Sequence, residues 1–212
     1  MTKIENMTSR EIQALKTKKK LFETAIKLFK QKGYENVTIK EIANKTGTSK
    51  GTFYTYFSSK SEVIIKQFKE IDQHYIKVTE NFKELKSAKE KLLFFLKEQL
   101  RFVITELNVD IVKVLYSSQL RAETEKIIKN WNRPLYKIIH KIIKEGQRND
   151  EFRSDISSKE LTEIVARCMR SIFLDWGISN GNFDLVNEGQ KFFSNFVVKG
   201  LLKNLDCNNK SN

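Results

Sequence analysis

The sequence predicts an all-α protein of about nine helices, with length for one large domain or two modest ones. Three observations carry this. Glycine (8) and proline (1) are scarce among 212 residues, while 31% are charged and 40% hydrophobic, a composition of helices joined by short loops and not of a turn-rich β sandwich. Apolar residues recur at spacings of three and four along most of the chain. Ser or Thr also precedes Glu by three residues at Thr8/Glu11, Thr38/Glu41, Ser59/Glu62 and Ser157/Glu160, the reciprocal capping pattern of helix starts.

Each element follows in order. Ile12, Leu15, Phe22, Ala25, Ile26 and Phe29 form one face of a first helix that opens at Thr8 and closes at Gly33. A short helix opens at Thr38, runs to about Lys45 and is interrupted by Gly47; Ser49 caps a third, also short. From Ser59 one long helix spans roughly 60–85, with Ile64, Phe68, Ile71, Tyr75, Val78, Phe82 and Leu85 on a stripe. Leu93, Leu96, Leu100, Val103 and Leu107 predict the next, and Ile128, Trp131, Leu135, Ile138 and Ile142 another that Pro134 kinks or restarts. Residues 145–155 read as a polar loop.

Two broadly apolar helices end the chain. Leu161, Ile164, Val165, Cys168, Met169, Ile172, Phe173 and Trp176 mark the first; Leu185, Val186, Phe192, Phe193, Phe196, Val197, Leu201 and Leu202 mark a second over 183–205. Stripes this wide suit helices buried in the monomer and against a partner copy, although a helix central to its own bundle has the same periodicity. Gly189 and Gly200 lie inside the last helix and cost about 1 kcal/mol each relative to Ala unless close packing uses them.

Charge narrows the function. The net charge is +13, of which residues 1–66 carry +8 and 67–212 only +5. A basic N-terminal third attracts polyanions: nucleic acid, an anionic lipid surface or an acidic protein. Cys168 and Cys207 are the sole cysteines, which excludes a disulfide framework and fits a reducing cytoplasm. The longest apolar run is Leu92 to Leu96, far short of the ~20 residues of a membrane span, and residues 1–10 lack the apolar stretch of a secretory signal. His74 and His140 are isolated, and no phosphate loop or nucleophile elbow occurs, so neither an enzyme nor a metal site nor a cofactor is expected.

The segment from Ile42 to Phe57 has the requirements of a helix-turn-helix: a small residue where two helices cross (Ala43), a turn residue that tolerates positive φ (Gly47) and an apolar anchor under the second helix (Phe53). The second helix is short and rich in Ser, Thr, Lys, Gly and Tyr, which suits a surface pressed into a groove.

From Leu21 to about Ile65 the chain resembles the tetracycline-repressor (TetR/AcrR) family of bacterial transcription regulators. The resemblance rests on the Ala25 to Phe29 face, Gly33-Tyr34, Val37-Thr38, Ile42-Ala43, the run Gly47 to Phe57, and Lys60 with Glu62. Departures are Thr46 and Thr48 where the family usually has Ala and Val, Phe53 for Leu, and Ile26 for a second Ala. The resemblance implies a helix-turn-helix DNA-binding domain over 1–66 and a helical effector-binding and dimerisation domain over 67–212. It implies a homodimer through the last two helices, bound to a palindromic operator, repressing transcription and released by a small-molecule effector. Together with side-chain chemistry it nominates DNA-contacting residues. Thr38 at a helix start would offer hydroxyl and backbone N–H to a phosphate. Thr48, Ser49, Lys50 and Thr52 would lead the recognition helix into the major groove, with Lys50 the candidate for a guanine contact. Gly51 would allow close backbone approach, Tyr54 and Tyr56 would give hydroxyls to phosphates, and Lys60 would add a phosphate charge. Phe94, Phe95, Phe102, Tyr116, Trp131, Tyr136, His140 and Trp176 could line an effector pocket, but aromatic residues at helical spacing are more often core, which leaves effector-binding residues unassigned.

The competing reading is a basic amphipathic helical protein that lies on an anionic membrane surface or binds a protein partner. It explains the charge but not the sequence of capped helix, glycine turn and capped helix.

Overall fold

A computed structural model of the chain describes residues 8–121 and 126–203, without the side chains of residues 67–70. The chain forms two compact units that divide between Phe68 and Lys69.

In the first unit α1 (Ser9–Lys32) opens at a full capping box. Thr8 Oγ1 accepts from the Glu11 N–H (3.3 Å) and Glu11 Oε2 accepts from the Thr8 N–H (2.8 Å). Its buried side begins at Leu21 and includes Phe22, Ala25, Ile26, Leu28 and Phe29. The expected stripe was drawn too far towards the N-terminus, because Leu15 is 53% exposed and the lysine-rich turns from Lys16 to Lys20 extend past the core. α2 (Ile39–Thr46) and α3 (Lys50–Tyr56) follow, and Val37, Ile42, Ala43, Phe53, Phe57, Val63 and Ile64 complete the core of this unit. α4 (Lys60–Val78) begins here and continues through the division.

The second unit is a helical bundle. The long helix expected to reach residue 85 stops at Val78 and tightens into a 3₁₀ segment, Thr79–Glu84. α5 (Ala88–Phe102), capped by Ser87, runs into a π turn, Val103–Leu107, and Asn108 at φ 62° re-aims the chain into α6 (Asn108–Leu120). α7 (Pro134–Arg148) begins at the sole proline, whose missing N–H costs nothing in the first turn. Ile128 and Trp131, expected inside that helix, precede it, with Ile127–Lys129 in a 3₁₀ turn. α7 also extends to Arg148, so the loop expected from 145 starts later.

α8 (Ser158–Ile178) packs on α6 and α7, and α9 (Leu185–Phe192) packs on α5. The last helix continues through a π turn, Phe193–Val197, into α10 (Val198–Leu201), ending before the expected residue 205. Leu202 bridges to Phe152, and the Arg153 N–H donates to the Leu201 carbonyl at 2.8 Å. Two glycines explain close approaches. A Cβ at Gly189 would lie 2.6 Å from a Leu100 methyl, and one at Gly146 would lie 2.2 Å from the Phe152 ring. A Cβ at Gly200 would meet nothing within 4 Å among the described residues, so among these residues close packing uses the first interior glycine of the last helix and not the second.

Polar groups inside this bundle are paired over long sequence separations. Arg133, 5% exposed, donates to Asp72 from Nε (3.1 Å) and Nη2 (2.9 Å). Arg170 donates to the Tyr136 hydroxyl (2.8 Å), which donates in turn to the Ile128 carbonyl (3.1 Å). Trp131 donates to Glu163. Of the aromatic residues read as core, Phe95, Tyr136 and Trp176 are buried. Burial pushes the Tyr75 phenol up to about 12 although Arg133 opposes the shift.

Candidate nucleic-acid interface

The geometry between α2 and α3 is set by backbone hydrogen bonds around Gly47. This residue adopts φ 69°, ψ 31°, the left-handed conformation that closes a helix, with its N–H donating to the Asn44 carbonyl (3.1 Å) and that of Thr48 to the Ala43 carbonyl (2.9 Å). Thr46, where a smaller apolar residue would suffice, is buried. Its Oγ1 bonds to the carbonyls of Ile42 (3.0 Å) and Ala43 (2.9 Å) and to Thr48 Oγ1 (2.9 Å), so the hydroxyl is satisfied within its own turn. Phe53 is fully buried and contacts Phe57 at 5.4 Å between ring centroids. This anchor fixes which side of α3 faces outward.

That outward side carries Ser49, Lys50, Gly51, Tyr54 and Thr55, all exposed, with Thr48, Thr52 and Tyr56 half-buried beside them. Ser49 Oγ accepts from the Thr52 N–H (3.0 Å) and bonds Thr52 Oγ1 (2.9 Å), so both hydroxyls also hold the helix start. Lys50 Nζ stands 5.8 Å from the Tyr54 ring centroid, and at Gly51 an added Cβ would meet nothing nearer than Ser49 Oγ at 3.5 Å. Thr55 shares this surface at a four-residue spacing from Gly51 and was not nominated from the sequence; that spacing was the available signal.

Thr38 is exposed at the start of α2, with Oγ1 accepting from the Glu41 N–H (3.1 Å). The box expected here is half made, because the Glu41 carboxylate pairs instead with Lys32 Nζ at 2.6 Å. Lys60 and Thr48 are engaged more closely with the protein than a free contact residue would be. Lys60 Nζ donates to the carbonyls of Tyr34 and Val37, both at 2.8 Å, and lies 4.2 Å from the Tyr34 ring centroid. Partial burial pulls its pKa down, against the opposing charge of Glu35. Thr48 Oγ1 is held by Thr46.

His74 stacks on Phe102 with centroids 4.2 Å apart, its buried Nε2 has no hydrogen-bond partner among the described residues, and burial holds its pKa down. Among the described residues no group of three or more His, Cys, Asp or Glu side chains is arranged to hold a metal ion.

A short capped helix, a left-handed glycine turn and a second short helix with a polar outer side define a helix-turn-helix protein. Residues 21–66 match the family described as bacterial regulatory proteins, tetR family, and residues 68–200 match the YsiA-like protein, C-terminal region. The chain belongs to the TetR family of bacterial transcriptional regulators. It is 25% identical over 167 residues to the fatty acid metabolism regulator protein of Bacillus subtilis (strain 168), covering 78% of this chain and 86% of that one. Two solved structures share the fold. One is a TetR-family repressor, FadR of Thermus thermophilus, in complex with lauroyl-CoA (TM-score 0.71, 20% identity, 88% of this chain and 96% of that one). The other is the transcriptional regulator FadR of Bacillus subtilis in complex with stearoyl-CoA (TM-score 0.64, 22% identity, 86% and 98%).

Proposed function

We propose that this TetR-family regulator is a repressor that binds a palindromic operator as a homodimer and is released by a small-molecule effector. In this reading residues 1–66 bind DNA, and residues 67–212 bind effector and dimerise. The observation that carries it is the α2–Gly47–α3 unit, in which buried Ala43 and Phe53 hold an outward surface of Ser49, Lys50, Gly51 and Tyr54. Lys50 reads a base edge, with Thr48, Ser49 and Thr52 beside it; Thr38, Tyr54 and Tyr56 contact phosphates. Lys60 adds its charge while securing the loop at Tyr34 and Val37.

The dimer reading is supported by apolar side chains that the monomer leaves open on the last two long helices. Ile178 is 70% and Phe196 72% exposed, and Ile164 and Leu174 are exposed as well. Such side chains are buried by a second copy in a two-fold interface. For the effector, the complexes of the two FadR neighbours with lauroyl-CoA and stearoyl-CoA make long-chain acyl-CoA the first class to test.

The competing reading, a basic helical protein on an anionic membrane surface or a protein partner, is less well supported, because it leaves the turn unexplained. Binding to host DNA fragments and to anionic vesicles, each measured against salt, separates the two. Several phosphate contacts give a log affinity that falls steeply and linearly with log salt on DNA, by about 0.9 per phosphate contacted. Binding to vesicles with none to DNA would reverse the reading.

A further inference from the structure

The second unit carries a groove of about 570 Å³ between the end of α4, the 3₁₀ segment, α5 and α7, within the size range of small-molecule sites. Its character comes from α7. Pro134, Ile138 and Ile142 line it, and at matching helical spacing so do Lys137, Lys141 and Glu145. Across from them stand Ile76, 46% exposed, and half-buried Phe82. Ile76, Phe82 and the apolar row of α7 together form a partly exposed apolar wall.

The charges are asymmetric. Lys91 also lines the groove, but its Nζ is neutralised by Glu145 at 2.5 Å. Lys137 and Lys141 are exposed and make no ion pair among the described residues. The groove therefore combines an apolar wall with two uncompensated ammonium groups whose methylene stems extend that wall. A cation is repelled here, and a neutral apolar ligand leaves the ammoniums unused.

We propose that this groove is the effector site, and that it takes a single-chain amphiphile with an anionic head, carboxylate or phosphate, the chain lying on Ile76, Phe82 and Ile138 and the head between Lys137 and Lys141. The assignment rests on the reading that this domain binds a small-molecule effector.

The test is calorimetric titration of the full-length protein with lauroyl-CoA, laurate, dodecyl phosphate, dodecanol and coenzyme A. The expected result is that at least one of the three anionic amphiphiles binds, and that dodecanol and coenzyme A bind at least tenfold more weakly; which anionic head binds best distinguishes carboxylate from phosphate. Lys137→Glu/Lys141→Glu should lower affinity for the best ligand at least tenfold with unchanged circular dichroism and melting, since both side chains are exposed. Ile76→Gln should lower it by shortening the apolar wall. Binding that is unchanged in both variants would overturn the groove assignment and leave the effector reading standing. No binding of lauroyl-CoA, laurate or dodecyl phosphate by the wild-type protein would overturn the proposed ligand class, while the broader effector reading stands or falls on other small molecules.

Discussion

The helix-turn-helix segment and the C-terminal bundle are held by interactions of different range. In the first, Thr38, Thr46 and Ser49 form hydrogen bonds to groups three or four residues away, and the turn closes on Gly47. In the second, Arg133 reaches Asp72 across 61 residues, Arg170 reaches Tyr136 across 34, and Glu151 accepts from the Ala88 N–H across 63. A reading surface built from local geometry can keep its shape while its exposed residues change. A bundle fixed by distant pairs depends on each pair, and its helix faces alone do not disclose it.

Substitutions can break or sharpen that contrast. The largest effect is expected at the buried ion pair: Asp72→Ala leaves the Arg133 guanidinium without its carboxylate and should cost about 3 to 5 kcal/mol, read by chemical denaturation. A loss below 1 kcal/mol would show that the bundle does not depend on it. Next is Phe196→Asp, at an exposed side chain. Sedimentation should find monomers with an intact fold and operator affinity lowered about a hundredfold or more, because two linked half-sites become one. An undiminished dimer would remove the last helix from the interface.

Lys50→Ala should weaken the cognate operator by about 1 to 3 kcal/mol and flatten discrimination at one base pair. A uniform loss across sequences in a competition assay would make Lys50 a phosphate contact. The smallest effect belongs to the local interactions. Ser49→Ala removes the α3 cap and should cost about 1 kcal/mol of stability; a loss as large as that from Asp72→Ala would erase the distinction between the regions.

The same difference in range explains what the residues disclosed in advance. Thr8 with Glu11, Ser49 over α3 and the Gly47 turn are short patterns with one backbone solution each, so α1, α2 and α3 were legible, as was the outward composition of α3. Glu41 departed from its box because Lys32, brought close by the α1–α2 packing, offered a full charge. The 3₁₀ ending of α4 and the π turns at 103–107 and 193–197 were not legible, since the apolar spacing runs on through all three. Nor was the Lys60 ammonium bound to Tyr34 and Val37, a contact 26 and 23 residues distant. The groove on α7 shares that origin: Ile76, Phe82 and Ile138 form a wall once three separate segments meet.

Selection of bound sequences from random DNA by the purified full-length protein at near-physiological salt tests the central claim most directly. The account predicts an inverted repeat whose half-sites lie about one helical turn, 34 to 36 Å, apart or a multiple of it. A single unpaired half-site would contradict the dimeric operator, and no enrichment over background, with and without acyl-CoA and at lowered salt, would contradict the DNA-binding assignment itself.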